Sequence, residues 1–185
     1  MREYLNKLPE ESRDLVYLAS EISAKNKIPA YLVGGCVRDL LLGVKNLDLD
    51  IVVEGNGIKF AEDFASSLKA KLIRHKRFGT ATIILKPHLK IDIASARKES
   101  YPFPAHLPVV SPGALEDDLC RRDFTINAMA ISISPQDPGR LTDFFGGAAD
   151  LEGKKIRILH YLSFIDDPTR ILRAVRFEKR YNFKI

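Results

Sequence analysis

No run in the 185-residue chain is long and apolar enough to cross a bilayer, so membrane-spanning roles are set aside. The opening stretch, MREYLNKLPEESRDL, mixes both charge signs and lacks the apolar core of a signal peptide. A cytoplasmic location is expected. Cysteine is scarce: Cys36 and Cys120 sit far apart without CxxC spacing. That excludes a disulfide framework and a structural zinc, and leaves two small buried thiols. The four histidines, His75, His88, His106 and His160, have no metal-ligand spacing and read as surface or loop residues. Neither a P-loop nor a GxGxxG dinucleotide fingerprint is present, and there is no internal repeat or low-complexity segment.

The remainder is ordinary for a soluble globular protein, with 45% hydrophobic and 29% charged residues. Such a length fits one domain, or one domain and part of another. The net charge of +5 is unevenly spread. Residues 154–185 hold nine Lys or Arg against three acids, while the rest of the chain is close to neutral. Clustering of this kind points to a polyanion, either nucleic acid or a triphosphate. A second basic knot, Lys69, Lys71, Arg74, Lys76 and Arg77, reads as a solvated surface.

Residues 10–25 carry Leu15, Leu18, Ala19 and Ile22 at helical spacing. Residues 30–33 form a short apolar run, followed by Gly34 and Gly35 and then by Val37, Leu40 and Leu41, which recur as in a helix up to Gly43. Strand, tight turn and helix are expected in that order. From 47 to 53 the pattern alternates, with Leu47, Leu49, Ile51 and Val53 on one face and Asp48, Asp50 and Val52 on the other. A helix is expected over about 58–71, then a hairpin of 80–85 and 90–94 around KPHL. The proline-rich stretch 95–113 reads as a long loop, a length more often functional than idle. A short helix over 115–122, a strand over 124–133 and a loop at Gly146 and Gly147 follow, with Met129 and Phe124 in the core. Pro168 opens a last helix that runs at least to Arg180.

Side chains repeat every second residue along a strand, so Asp48 and Asp50 share a face. Two carboxylates that close repel unless a cation lies between them, and oxygen ligands favour magnesium or manganese over zinc. Asp92, between Ile91 and Ile93, could bring a third acid to the same place if its strand is a neighbour. The alternative for Asp92 is an ion pair with a nearby arginine. Three acids beside a glycine turn fit two-metal phosphoryl chemistry. Gly34 and Gly35 let the backbone approach a phosphate, and Arg38, one turn into the helix, could reach the same anion with two hydrogen bonds. An Arg-Asp dipeptide such as Arg38-Asp39 is also a common surface ion pair.

Together the segments GGCVRDLLLG, DLDIVVEG, RRDFTINAMA and DDPTRILRAVRF, in that order, resemble the head domain of the tRNA nucleotidyltransferase and bacterial poly(A) polymerase family, the eubacterial-type CCA-adding enzymes of the polymerase-β superfamily. The resemblance runs from residue 31 to residue 185. It implies an α/β (α+β) nucleotidyltransferase head over 1–160, with a twisted mixed sheet of about five strands backed by helices. Residues 161–185 would begin a helical neck, with body and tail domains lying outside the chain. By resemblance, Asp48 and Asp50 bind two catalytic Mg2+ ions, Mn2+ being possible, and Asp92 positions or deprotonates the primer 3′-hydroxyl. Gly34, Gly35 and Arg38 contact the triphosphate, and Arg122 and Asp123 read the ribose. Asp166, Asp167 and Arg170 match the motif usually written EDxxR, with aspartate where glutamate is common, and Arg173 and Arg176 match further nucleotide-contacting arginines.

Asp167 and Arg170 also have an independent logic. Adenine and cytosine each place an amino donor beside a ring-nitrogen acceptor, whereas guanine and uracil place a carbonyl beside an N–H. A carboxylate acceptor with a guanidinium donor therefore suits A and C. Arg170, Arg173, Arg176 and Arg180 fall along one side of the last helix, with Ile171, Leu172 and Val175 along another. A solvated basic face with an N-cap would give the same pattern. The expected partners are ATP, CTP and the 3′ end of tRNA or another RNA, with no membrane. CCA, CC, A and poly(A) addition share these motifs, and the other class of reading is a non-catalytic RNA-binding module.

Overall fold

The computed structural model describes residues 3–44, 48–86, 89–103 and 105–185. Leu47, Pro87, His88 and Pro104, each used in the sequence reading, lie outside the described residues. In chain order the elements are α1 (Glu3–Asn6), α2 (Glu10–Asn26), β1 (Ala30–Val33), α3 (Gly35–Leu41), β2 (Leu49–Val53), α4 (Gly57–Leu68), β3 (Lys71–His75), β4 (Thr80–Lys86) and β5 (Leu89–Ser95). There follow β6 (Arg97–Ser100), β7 (Val109–Pro112), α5 (Leu115–Cys120), β8 (Ala130–Ser132), β9 (Leu141–Thr142), α6 (Gly147–Glu152), α7 (Ser163–Asp166) and α8 (Thr169–Tyr181). The chain forms two compact units that interleave in sequence: residues 1–96 with 130–142, and residues 97–129 with 143–185. No helix among the described residues is long and apolar enough to cross a membrane.

The first unit, called here the sheet unit, is built on a mixed seven-stranded sheet in the order β3-β4-β5-β2-β1-β8-β9. β2 and β5 run parallel and the other pairs antiparallel. On one face Leu49, Ile51, Val53, Ile91, Ile93, Ala81 and Ile83 are all buried. α4 packs against β2 to β5 and contributes Phe60, Ala61, Phe64 and Ala65, with the two phenyl rings edge to face at 6.3 Å. Burial of each such ring stabilises by about 1.5–3 kcal/mol, which is what fixes the strand register. The opposite face carries Asp50, Thr82, Lys90 and Asp92, none of them buried. The acids thus stand on the side that the helix leaves open.

The second unit, called here the hairpin unit, joins the β6–β7 hairpin to α5, α6, α7 and α8. Its apolar centre is Phe124, whose ring meets Phe177 of α8 at 5.7 Å and 90°. Gly147 opens α6 where a β-carbon would collide with the Thr125 carbonyl, so only glycine fits there.

Several elements depart from the sequence reading. The stretch 95–113 is not one loop: Arg97 to Ser100 pair with Val109 to Pro112. Its half-buried positions are the charged Arg97 and Glu99, so no apolar alternation announces the strand. The helix expected over 58–71 stops at Leu68, where Lys69 turns left-handed at φ 50, and the basic knot that follows is the edge strand β3. β3 and the two-residue β9 are what take the sheet beyond the five or so strands expected. Within 124–133 only 130–132 are strand, because Thr125–Asn127 form a 3-10 turn. Gly147 begins a helix rather than a loop, with the Gly147 and Ala148 amides donating to Asp143 at 2.8 and 2.9 Å.

Candidate active site

The parallel pairing of β2 with β5 puts Asp50 directly opposite Asp92. Neighbouring strands lie about 4.8 Å apart, so these two carboxylates leave adjacent backbones on one face. Asp48, two residues before Asp50, lies toward the same face and is exposed. Asp92 is also opposite Thr82, whose hydroxyl donates to Oδ1 at 2.6 Å, while the Lys90 ammonium sits 3.3 Å from Oδ2. Lys90 holds its proton more tightly than usual, first through its bond to Asp92 and that carboxylate's charge, then through Asp48 and Asp50. All three acids therefore act on one lysine, and Asp92 is already partly neutralised.

The glycine turn belongs to the same place. Gly34 has φ 70 and ψ −134, a conformation closed to residues with a β-carbon, and it lets the chain turn from β1 into α3. Cys36, directly after the turn, has its thiol pushed up to about 12, by burial first and then by the charge of Asp50, against a backbone hydrogen bond with Asp50. Asp39 and Asp48 add to the upward shift. Asp50 is thus a neighbour of the residue that follows the turn. Arg38 lies back over the turn, with Nη2 3.4 Å from where a Gly35 β-carbon would stand. It is not an exposed arm: the residue is 4% exposed and its Nε and Nη2 reach Asp39 Oδ1 at 2.9 and 2.8 Å. The Arg-Asp dipeptide is an ion pair, and a buried one.

The donors suit a hard divalent cation. Asp48 and Asp50 offer only oxygen, and the Lys90 ammonium already lies 3.3 Å from Asp92 on the same face. Among the described residues no three His, Cys, Asp or Glu side chains close into a cage for a metal. Two carboxylates on one face are a donor set that substrate oxygens and water can complete around such a cation.

The hairpin unit holds the remaining sequence-selected residues. Arg122 donates through Nη2 to Asp118 at 2.9 Å, while its buried Nε has no hydrogen-bond partner among the described residues. Asp123 is heavily engaged: Oδ1 accepts from the Phe124 amide at 2.8 Å and from Asn127 at 2.9 Å, and Oδ2 takes Nε and Nη2 of Arg173 at 2.8 and 2.6 Å. A ribose hydroxyl would have to compete with these donors. Asp167, two residues ahead of α8, accepts from the Thr169 amide at 3.0 Å and its hydroxyl at 2.6 Å, and its Oδ2 is 3.8 Å from Arg170 Nε. Arg170 is 4% exposed and donates to the Ser163 hydroxyl at 2.6 Å and the Arg121 carbonyl at 2.8 Å. Asp166, the aspartate that replaces the usual glutamate, lies 4.0 Å from His160. Arg170 is steadied by Ser163 and Arg121 instead. Arg176 is exposed.

On α8 the inward residues are Arg170, Ala174 and Phe177, while Ile171, Leu172 and Val175 are 49%, 75% and 46% exposed. The apolar side of the helix thus faces out. Sequence reasoning missed Thr82 and Lys90 in the sheet unit, and Glu99, Asp118 and Ser163 in the hairpin unit. Asp118 lies four residues before the selected Arg122, a helical spacing that was available in the sequence; Thr82 and Lys90 depend on strand register, which was not.

A family model for the poly(A) polymerase head domain matches residues 30–157. The A-adding tRNA nucleotidyltransferase of Geobacter sulfurreducens is 49% identical over 94% of the chain and 19% of its own length. Among solved structures, a CCA-adding enzyme in apo form II matches with a TM-score of 0.92 and 51% identity, over 98% of this chain and 43% of that one. The Thermotoga maritima CCA-adding enzyme complexed with tRNA matches with a TM-score of 0.85 and 49% identity, over 98% and 41%. The chain spans less than half the length of each of these relatives. With the DLD strand, the glycine turn and the RRD segment in place, this chain belongs to the poly(A) polymerase head-domain family of nucleotidyltransferases.

Proposed function

We propose that the protein carrying this chain adds C, A or both to the 3′ end of tRNA from CTP and ATP, releasing pyrophosphate. Its relatives are named for that activity, and the single observation that carries the chemistry is the pairing of Asp50 with Asp92 beside the Gly34 turn. In the sheet unit, Asp48 and Asp50 would hold divalent metal, taken to be two magnesium ions. Such ions supply positive charge to the phosphates and lower the pKa of the attacking hydroxyl. Asp92, steadied by Thr82 and Lys90, is suited to accept a hydrogen bond from the primer hydroxyl and hold it in line. The Gly34 turn leaves backbone space for the triphosphate, and Arg38, bonded to Asp39, steadies the turn over which it lies.

In the hairpin unit, Arg122 is assigned to the ribose and Arg170 with Asp167 to the Watson–Crick edge. Arg170 is pre-set by Ser163 and the Arg121 carbonyl, so its free donor direction is fixed before nucleotide arrives. Asp123 serves first to hold Arg173, with the ribose hydroxyl as a competing partner.

Asp50→Ala in the full-length protein should lower incorporation of labelled ATP and CTP into tRNA lacking its 3′ nucleotides by about a thousandfold or more, with the circular dichroism spectrum unchanged. Incorporation at parental rate would defeat the proposal. Sequencing products made on tRNAs ending before each C and before A defines which nucleotides it adds.

A further inference from the structure

In the hairpin unit, Asp118 is fully buried at 0% exposure, yet it carries no nucleotide-facing role in the assignments above. Its two oxygens are divided between two arginines. Oδ1 accepts from Arg121 Nε at 3.0 Å and Nη2 at 2.6 Å, and Oδ2 accepts from Arg122 Nη2 at 2.9 Å. The spacing makes this possible, because Arg121 and Arg122 lie three and four residues on from Asp118 at the end of α5. Glu99 of β6 grips the same arginine from the other side. Its carboxylate, with a side chain only 6% exposed, accepts from Arg97 at 2.7 Å, from Tyr101 at 2.9 Å and from Arg121 Nη1 at 3.4 Å.

The chain of bonds then continues through backbone. The Arg121 carbonyl accepts from Arg170 Nη2 at 2.8 Å. A run of contacts therefore leads from Glu99 through Arg121 to Arg170, and from Asp118 to Arg122, all within one unit. Buried carboxylates hold arginines in this way only when the geometry is good, because each desolvated charge must be matched. Arg122 has few other restraints, since its Nε finds no partner among the described residues.

We infer that Asp118, supported by Glu99, is a positioning residue that sets the directions of Arg122 and, through the Arg121 carbonyl, of Arg170, and so determines which nucleotide is accepted. The inference rests on the assignment of Arg122 and Arg170 to nucleotide recognition. Asparagine at 118 keeps the shape but puts an amide donor where a guanidinium requires an acceptor. The arginines then lose their common anchor, while the acids of the sheet unit are untouched.

The test is Asp118→Asn in the full-length protein, with kcat/KM measured for ATP, GTP and dATP on tRNA lacking its terminal A, or for CTP, UTP and dCTP on tRNA lacking CCA if the parent adds only C. The ratio of correct to wrong nucleotide is read on a single preparation, so a smaller folded fraction cannot change it. That ratio should fall by about tenfold or more against both the wrong base and the deoxy sugar. Glu99→Gln should lower it by a smaller factor, about threefold. If Asp118→Asn does not fold, Arg121→Lys, which keeps the charge but loses the fork, is judged by the same tenfold criterion. Ratios within about twofold of the parent in the soluble variants overturn the inference. A parent protein that incorporates no nucleotide on any tRNA end defeats the proposed function instead, and this inference with it.

Discussion

The sheet unit and the hairpin unit arrange charge in opposite ways. On the open face of the sheet, Asp48, Asp50 and Asp92 all bear on Lys90. In the hairpin unit, Arg97, Arg121, Arg122, Arg170 and Arg173 are bonded to Glu99, Asp118, Asp123, Ser163 or a main-chain carbonyl. Carboxylates that share one face are suited to mobile cations that arrive with substrate. Arginines already bonded on one side have fewer directions left, which suits recognition of a planar base or a sugar. Chemistry and selectivity should therefore fail separately when each unit is altered.

The largest effect on folding should come from the hairpin unit. Asp123 anchors Arg173 with two bonds and also closes the 3-10 turn through Phe124 and Asn127. Asp123→Asn removes the charge and leaves the guanidinium with one neutral partner. A loss of about 2–3 kcal/mol is expected, because bonds to charged groups exceed neutral ones and part of the pair is solvent-screened. Chemical denaturation of the full-length variant measures it. A change below about 0.5 kcal/mol would mean that the arginine network is ornamental, and the contrast between the units would lose its basis.

Alkaline conditions should destabilise the sheet unit through Cys36. Cys36 is 2% exposed and its folded pKa is about 12 against an ordinary 9.0. Below pH 9 the thiol is neutral in both folded and unfolded chains and costs nothing. Between pH 9 and 12 the unfolded chain gives up this proton while the folded chain keeps it, so stability falls as pH rises. One such group costs about 1.4 kcal/mol per pH unit within that window. Tyr31, raised to about 12 by burial and by Glu54, adds in the same direction from pH 10 upward. In the hairpin unit Tyr101 is likewise raised to about 12, by burial and Glu99. Cys36→Ser should flatten the first part of the decline, just above pH 9, where the thiol contributes more than the two tyrosines, whose ordinary pKa is 10.0. Alkylation at pH 8 should label the exposed Cys120 and spare Cys36. Equal labelling of both would show that the packing beside the glycine turn is loose.

Sequence pattern was informative wherever side chains obey a simple period. Leu49, Ile51 and Val53 alternate because one face of β2 is packed, and from that alternation the shared face of Asp48 and Asp50 followed. The strand ends of β1 and the start of α8 were legible for the same reason, with proline and glycine marking the stops. Where the half-buried residues are charged, the pattern disappears: β6 turns Arg97 and Glu99 inward, and α8 turns Arg170 inward and Leu172 outward. Pairings such as Thr82 with Asp92 depend on how distant strands meet, and single-chain periodicity does not contain that information. Short elements, α7 and β9 among them, are smaller than the window over which a period can be seen.

The smallest expected effect concerns Lys90 and bears directly on the open acidic face. Its ammonium is half exposed and lies 3.3 Å from Asp92, with Asp48 and Asp50 also adding to its proton affinity. A cation fixed there repels divalent metal, while an exposed pair of this kind is weak, at or below about 1 kcal/mol. Lys90→Gln should therefore lower the magnesium concentration that gives half-maximal incorporation, by about twofold to fivefold and most clearly at low salt. Chelation should abolish activity in parent and variant alike, and the titration back with magnesium gives both midpoints on one scale. If the midpoint rises instead, Lys90 is helping to hold Asp92 in its working position rather than competing for the acids. The negative face would then be neutralised from within, as the hairpin unit already is.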